Sequence, residues 1–483
     1  MKSANATPAE FQAAREPTGP APVSLWKLLR GYRPDPLVRW TMIRDTHGPV
    51  SRYTFGLSDS YFISSAEGAR RILQENAANY TKEHGSYQML RRIFGDGLFT
   101  SEGSFWLRQR RLAAPAFHRQ RIAAMGQQMA AAAAETAERW QGLASAGQPV
   151  SMLREMSRLT LKVVGDALFG TGLTDQASAV AGAWDTLNSQ LAERFGAMRL
   201  LPPILPTAYD RAFRGARRTL LGVVEQIVAA RRAAGGGGED LLGMFMQARD
   251  EDTGEQMTDA QLRDEVVTML LAGHETTAIA LAWLWARLDQ HPAVAARLHA
   301  ELDQVLGSRL PTAADYPALL YTRAVVDETL RLHPPAYLVN RRVAADDVVC
   351  GFKVRRGGAI VLSPLILHRH PAYWERPDEF LPERWADPAA EERRPKFAYL
   401  PFSGGPRQCI GNTFAMMEAV LVVATLASRF APRLAEGYTP RAEYLVLSRP
   451  TEGAPMLVRR RGGVDQAPAR IRAVASAADD GDL

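Results

Sequence analysis

Two short runs rich in β-forming residues, Val50–Phe55 and Ser60–Ile63, flank Gly56-Leu-Ser-Asp59, a pattern that predicts a hairpin. From Ala66 to Arg331 helical segments dominate, including the alanine-rich run from Ala123 to Ala144. The longest amphipathic segment runs from about Thr258 to Gln290; Thr258 with Gln261 forms a capping-box pattern at its start, and His291-Pro292 ends it. A further helix over Ala324–Leu332 stops at Pro334-Pro335. Asp347–Val361 is strand-rich with Gly357-Gly358 as a turn, and Tyr444–Leu447 and Pro455–Val458 are expected to be late strands. A helix is expected from Asn412 to Ser428. Gly235-Gly-Gly-Gly238 reads as a connector, because no lysine followed by serine or threonine stands where a phosphate loop needs it.

The ends of the chain depart from this pattern. Residues 1–22 are polar and rich in alanine and proline, and are expected to be flexible. Residues 461–483 carry few large apolar side chains and are expected to be disordered. Between them, 23–460 reads as one mainly α domain with a small β region, large enough to bury an extensive core at 46% hydrophobic content over 483 residues. The formal charge of +6 is modest for this length, and no basic motif is interleaved with aromatics, so nucleic acid is not an expected partner. Two cysteines without paired spacing exclude a disulfide scaffold and a multi-cysteine zinc site. They suit a reducing compartment. No stretch has the roughly 18–20 uncharged apolar residues of a membrane span.

Candidate chemistry concentrates in Phe402-Ser-Gly-Gly-Pro-Arg-Gln-Cys409-Ile-Gly411. Gly404, Gly405 and Gly411 let backbone approach the cysteine sulfur, and Pro406 stiffens the loop. The helix that follows turns backbone N–H groups and a positive end toward the sulfur, which favours thiolate. Arg407 is placed to pair with an anionic cofactor group. Cys350, with no such surroundings, reads as an inert buried thiol. Glu328-Thr-Leu-Arg331 puts an acid and a base on one helix face, able to bond each other and a third group. Ala272-Gly-His-Glu-Thr-Thr277 places an acid and alcohols in mid-helix, where a threonine competing for the backbone can open the helix to water. Trp106 and Arg110, four apart, share a face and can present an indole N–H and a guanidinium to one anion.

The spacing Phe-x-x-Gly-x-Arg-x-Cys-x-Gly resembles the proximal haem loop of the cytochrome P450 family, and the other motifs fall in that family's order. The resemblance implies the single-domain P450 fold, haem b as cofactor and Cys409 as the axial iron ligand, with Phe402 packing by the sulfur. It also implies that Glu328, Arg331 and the arginine of Pro382-Glu-Arg384-Trp385 form a structural network. Trp106, Arg110, Arg341 and Arg407 would hold the haem propionates, with Arg342 a neighbour. Thr276 would be the oxygen-side alcohol and Glu275 the acid behind it. His274, in a position where the family tolerates many residues, is not expected to bind iron, since a second axial protein ligand would block dioxygen.

The same resemblance places an apolar pocket at Gln88–Phe99, Arg194–Ile204, Met269–Thr276, Ala336–Val339 and Leu445–Leu447, for a small hydrophobic substrate of fatty acid, terpenoid, steroid or macrolide type. Leu200–Pro206 reads as a mobile substrate lid rather than a membrane-dipping loop. The implied activity is insertion of one atom of dioxygen into a C–H or double bond. Electrons would come from a ferredoxin with its reductase, or from a flavodoxin, since no flavin or iron–sulfur module is recognisable. Arg108, Arg111, Arg119, Arg393, Arg394 and Lys396 are candidates to receive such an acidic partner. A soluble, monomeric, cytoplasmic bacterial enzyme without a membrane anchor is expected. Two rival classes share the cysteine: a haem-thiolate isomerase, dehydratase or peroxygenase, and a haem-based sensor or binding protein. The Glu275-Thr276 pair speaks against the first, and a turnover assay with reductant and dioxygen separates the second.

Overall fold

The computed structural model describes residues 5–21, 35–55, 58–170, 176–196, 208–238, 240–250 and 254–462. Its axis is the helix Asp259–Gln290. Thr258 starts it as foreseen: its side chain accepts from the Gln261 N–H at 3.3 Å, and the Gln261 side chain accepts from the Thr258 N–H at 2.7 Å. Beyond Val266 the sequence is apolar nearly all round, so the helix is driven into the core rather than laid on it. It packs against Met152–Phe169, Ala208–Ala233, Leu320–Leu332 and Asn412–Ala427. It is also long and apolar enough to cross a membrane, contrary to the sequence expectation that no segment qualifies, but 83% of its most apolar window is buried inside the protein. That burial makes it a core helix.

One mixed sheet stands beside the helices, in the strand order Val50–Phe55, Ser58–Ile63, Ala359–Leu362, Val339–Val343, Tyr80–Thr81. Ser58–Ile63 runs parallel to Ala359–Leu362, and the other neighbours are antiparallel. The foreseen hairpin is present, its second strand beginning at Ser58 rather than Ser60. The stretch Asp347–Val361 divides in two. Its first part is a hairpin, Asp347–Val349 with Phe352–Val354, turned at Cys350 and Gly351, both with positive φ (50° and 77°). Cys350 is therefore a half-buried turn residue, its Sγ 3.3 Å from Ser65 Oγ, and not a core thiol. Tyr444–Leu447 is likewise not a strand: residues 445–447 form the bend between Ala442–Tyr444 and Ser448–Pro450. The Pro455–Leu457 strand matches expectation.

Within the N-terminal segment expected to be flexible, residues 5–21 carry the capped helix Pro8–Ala13, and Arg15 N–H donates to Gly351 O at 3.0 Å. The tail expected to be disordered lies outside the described residues after 462. The Glu328 network forms as foreseen. Arg331 meets both carboxylate oxygens of Glu328 (2.8 and 2.9 Å), Arg384 donates to it at 3.0 Å and Trp385 Nε1 at 3.0 Å. Arg331 also donates to the carbonyls of His368, Pro377 and Glu379. Glu328 and Arg331 are both fully buried, so every charge-bearing atom has a partner where it needs one.

Candidate active site

The loop around Cys409 is shaped by contacts that only particular residues allow. Gly405 has φ +67°, and a Cβ there would sit 1.7 Å from the Leu73 carbonyl oxygen, so glycine is required. Gly411 is less constrained, since its Cβ would meet the Cys409 sulfur at an ordinary 4.0 Å. The Cys409 N–H closes the loop on Phe402 O at 3.0 Å, and Phe402 packs half-buried against the main core. The helix Asn412–Ala427 begins immediately afterwards. The Cys409 side chain is accessible, yet the surrounding protein desolvates the thiol and pushes its pKa up. The Gly411 N–H and the Arg110 charge work against that rise. The sulfur thus looks into a recess of the protein, not outward.

Cations gather beside this recess. Arg110 donates to Gln408 O at 2.9 Å, next to the cysteine. Arg407 lies over the Trp106 ring, 3.7 Å from its centroid, donates to Ser101 O and pairs with Glu102 at 2.7 Å. Arg341 is buried and donates to Tyr87 Oη at 3.1 Å, whereas the alternation of its strand turns Arg342 out to solvent. Lys82, which sequence reasoning missed, completes the group: it is buried, and its Nζ donates to Phe99 O at 2.6 Å. Its pKa is held well below the usual lysine value, by burial first and then by the charges of Arg341, Arg407 and Arg110. Glu102 is the one acid that opposes this shift. No sequence signal marks Lys82, a single lysine after a short strand.

Four neighbouring cations against one carboxylate are unfavourable in a desolvated site unless further negative charge arrives. A ligand with two carboxylates and a metal seeking a thiolate meets both needs, and haem has this chemistry. The donor set therefore fits the group.

On the central helix the acid Glu275 and its neighbours His274 and Thr277 are buried, but Ala272 is exposed and Thr276 half-exposed, so this strip borders open space. The helix runs unbroken through it, contrary to the expected local opening, and Thr276 Oγ1 donates back to Ala272 O at 2.9 Å within it. Its oxygen keeps lone pairs free to accept. Burial raises the Glu275 pKa to about 7, with Asp185 adding to the rise and Arg449 and Trp184 opposing it. His274 is fully buried off this strip, donating from Nδ1 to Leu270 O at 2.7 Å, consistent with its having no role as an iron ligand.

Two other acids escaped sequence reading. Glu265, nearly three turns earlier on the same helix, accepts from Leu98 N at 3.0 Å, and burial pushes its pKa up to about 8. Glu418 is fully buried beside Thr277, and burial drives it well above the ordinary carboxyl range, with Thr277 opposing the rise. Of the expected pocket wall, Ile93, Phe94, Leu98 and Met269 are buried and apolar, and Tyr337 bonds Leu445 O at 2.9 Å. Residues 197–207, which include the expected lid, lie outside the described residues.

An accessible cysteine in a recess that desolvates its thiol, with cations gathered beside it, fits the chemistry of a haem-thiolate site. No group of three or more metal-binding side chains occurs among the described residues. Comparison with known proteins agrees. The Cytochrome P450 family model matches residues 17–454. Cyclooctatin synthase of Streptomyces melanosporofaciens is 35% identical over 85% of this chain and 89% of its own length. Cyclooctat-9-en-7-ol 5-monooxygenase of the same organism is 34% identical over 81% and 84%. The crystal structure of the cytochrome P450DA heme domain superposes with a TM-score of 0.81 at 27% identity, covering 93% of this chain and 98% of that one. The chain belongs to the cytochrome P450 family: it is a haem-dependent monooxygenase, an oxidoreductase that incorporates oxygen from dioxygen.

Proposed function

We propose that this enzyme inserts oxygen into a C–H or double bond of a terpenoid-like hydrocarbon skeleton, with Cys409 as the sole protein ligand to the iron of haem b. The observation that carries the site assignment is the accessible, desolvated Cys409 sulfur beside four cations that have one acid between them. Arg110, Arg341, Arg407 and Lys82 would hold the two propionates, with Trp106 stacked beneath Arg407 and its indole N–H available. Phe402, packed next to the loop, shields the sulfur. When bound, the haem supplies oxygen activation favoured by thiolate ligation.

The polypeptide supplies shape and protons. Apolar walls from Ile93, Phe94, Leu98 and Met269 select a hydrophobic substrate and exclude water. A relative named for acting on cyclooctat-9-en-7-ol supports a carbocyclic substrate with at most isolated polar groups. Thr276 orders a water through its free lone pairs, and Glu275, poised near neutrality, moves a proton to it. Electrons would arrive from a separate ferredoxin or flavodoxin at the face where Pro406 and Gln408 reach the surface. The decisive experiment is Thr276→Ala in the reconstituted system. Substrate affinity and the haem spectrum should stay nearly unchanged, while product per electron pair falls and hydrogen peroxide rises. Full coupling in that variant would remove Thr276 from the reaction.

A further inference from the structure

Where the helix Ala177–Gly196 brings Trp184 near Glu275 of the central helix, several polar atoms are buried without a well-formed hydrogen bond. Trp184 and Asn188, one turn apart on the same face, are 3% and 0% exposed. Neither amide atom of Asn188 nor His274 Nε2 has a hydrogen bond, and the Trp184 indole N–H is turned toward the Glu275 carboxyl without a well-formed bond to it. Buried polar atoms are nearly always paired, so each of these asks for a partner. Bulk solvent does not reach any of them, so a neighbouring side chain that can turn is the candidate partner.

The tautomer of His274 narrows the choice. Nδ1 is 2.7 Å from Leu270 O, and a carbonyl only accepts, so Nδ1 carries the ring proton. Burial holds the imidazole neutral, its pKa lowered to about 4, so Nε2 is a bare acceptor in need of a donor. Glu275 Oε2 lies 3.7 Å away, one small carboxyl rotation from bonding distance. With its pKa raised to about 7, that carboxyl still carries a proton on about half the molecules near neutrality. The Trp184 N–H faces the same carboxyl.

We propose that His274 is a positioning residue: its Nε2 accepts the O–H of protonated Glu275 and docks the acid, proton loaded, beside Trp184 and away from Thr276. This rests on the reading that Glu275 delivers protons to the distal alcohol, and it adds a resting place for the acid between deliveries. The step is a hydrogen bond, and no net proton leaves the carboxyl until it turns toward Thr276. The other charges facing Glu275 are Asp185 on the crossing helix and Arg449 on the strand Ser448–Pro450, themselves paired at 3.2 Å. Arg449 is further paired with Glu443 at 3.0 Å.

The test is a pH titration of the haem-loaded enzyme by infrared difference spectroscopy, following the carbonyl stretch of protonated Glu275. The band is assigned by its loss in Glu275→Gln. A hydrogen bond donated by the neutral acid raises its pKa, so His274→Phe should lower the Glu275 midpoint by about one pH unit and move the band to the frequency of a free acid. His274→Gln, which restores an acceptor near Nε2, should recover most of the shift. If the phenyl ring is not accommodated, His274→Leu serves in its place. An unchanged midpoint and band in the apolar variant, or equal shifts in the apolar and glutamine variants, would overturn the proposal. Normal turnover in Glu275→Gln would instead overturn the proton-delivery reading beneath it, so the two failures are told apart.

Discussion

Two cysteines with different surroundings show how far one residue's chemistry depends on its shell. Cys350 occupies a left-handed turn position and touches Ser65, while Cys409 has the Gly411 N–H and Arg110 stabilising its anion against desolvation. Of the two, the surroundings of Cys409 are the ones that suit a metal thiolate, and a bound iron would complete its ionisation. Cys409→His should therefore abolish the carbon-monoxide difference band of a haem-thiolate, read in the reduced enzyme. Cys350→Ser should leave that band in place. Loss of the band in Cys350→Ser alone would reverse the assignment. The loop that identified Cys409 was legible in sequence because glycines and a proline leave few alternative backbones there. Lys82 was not legible, because what marks it as a candidate is three arginines from distant segments converging on it. Arg341 was legible only with its strand, whose alternation sends it inward and Arg342 outward.

At the scale of elements, the central helix could be bounded from its cap and its terminal His-Pro, but the purpose of its first turns could not. Asp264 and Glu265 reach across to the loop 95–98, accepting from Asp96 N at 2.9 Å and Leu98 N at 3.0 Å. Lys82 holds the same loop through Phe99 O, and Arg407 holds its end through Ser101 O. Such long-range pins on backbone atoms leave no side-chain pattern to read. Tyr444–Leu447 failed for a related reason: its apolar residues are those of a bend turned toward Tyr337, and composition alone does not separate bend from strand. The Glu265 pin has a measurable cost. Burial raises its folded pKa to about 8, above the ordinary carboxyl value kept in the unfolded chain. The unfolded chain therefore releases this proton first as pH rises, and stability is full below the ordinary carboxyl range and declines until about pH 8. Glu265→Gln should remove that component. Between about pH 5 and pH 8 the variant should lose less stability than the parent, by on the order of a few kcal/mol, in denaturant titrations at a series of pH values. Parallel profiles would mean that Glu265 is ionised in the fold.

Across the whole molecule, charge is arranged in two ways with opposite consequences. The Glu328–Arg331–Arg384 network is dry and fully paired, so removing one member leaves an uncompensated buried charge. Arg331→Ala should cost about 3–5 kcal/mol, measured by denaturant unfolding, and should weaken haem retention because Arg331 also ties down the carbonyls of His368, Pro377 and Glu379. The face around the thiolate loop is the reverse case, wet and loosely paired. Part of the arginine patch expected to receive an acidic partner is already engaged: Arg108 and Arg111 both approach Asp250, at 3.7 and 3.2 Å, and Arg394 lies over Trp374 at 4.0 Å. Arg119 and Lys396 are exposed. Arg119 stands two residues from Phe117, whose ring would lie 3.8 Å from a Cβ on Gly411, so it is close to the sulfur loop. Leu107, 49% exposed three residues before Arg110, gives this face an apolar point. A partner that docks there by charge is attracted through solvent, where screening acts over about 8 Å at physiological ionic strength. Raising salt should therefore slow the bimolecular reduction of the iron by a ferredoxin, and Arg119→Glu should slow it at low salt while leaving substrate binding unchanged. Stopped-flow reduction across a salt series measures both. Rates that ignore salt and the reversal at Arg119 would place docking on the apolar point at Leu107, where hydrophobic contact rather than charge sets the association.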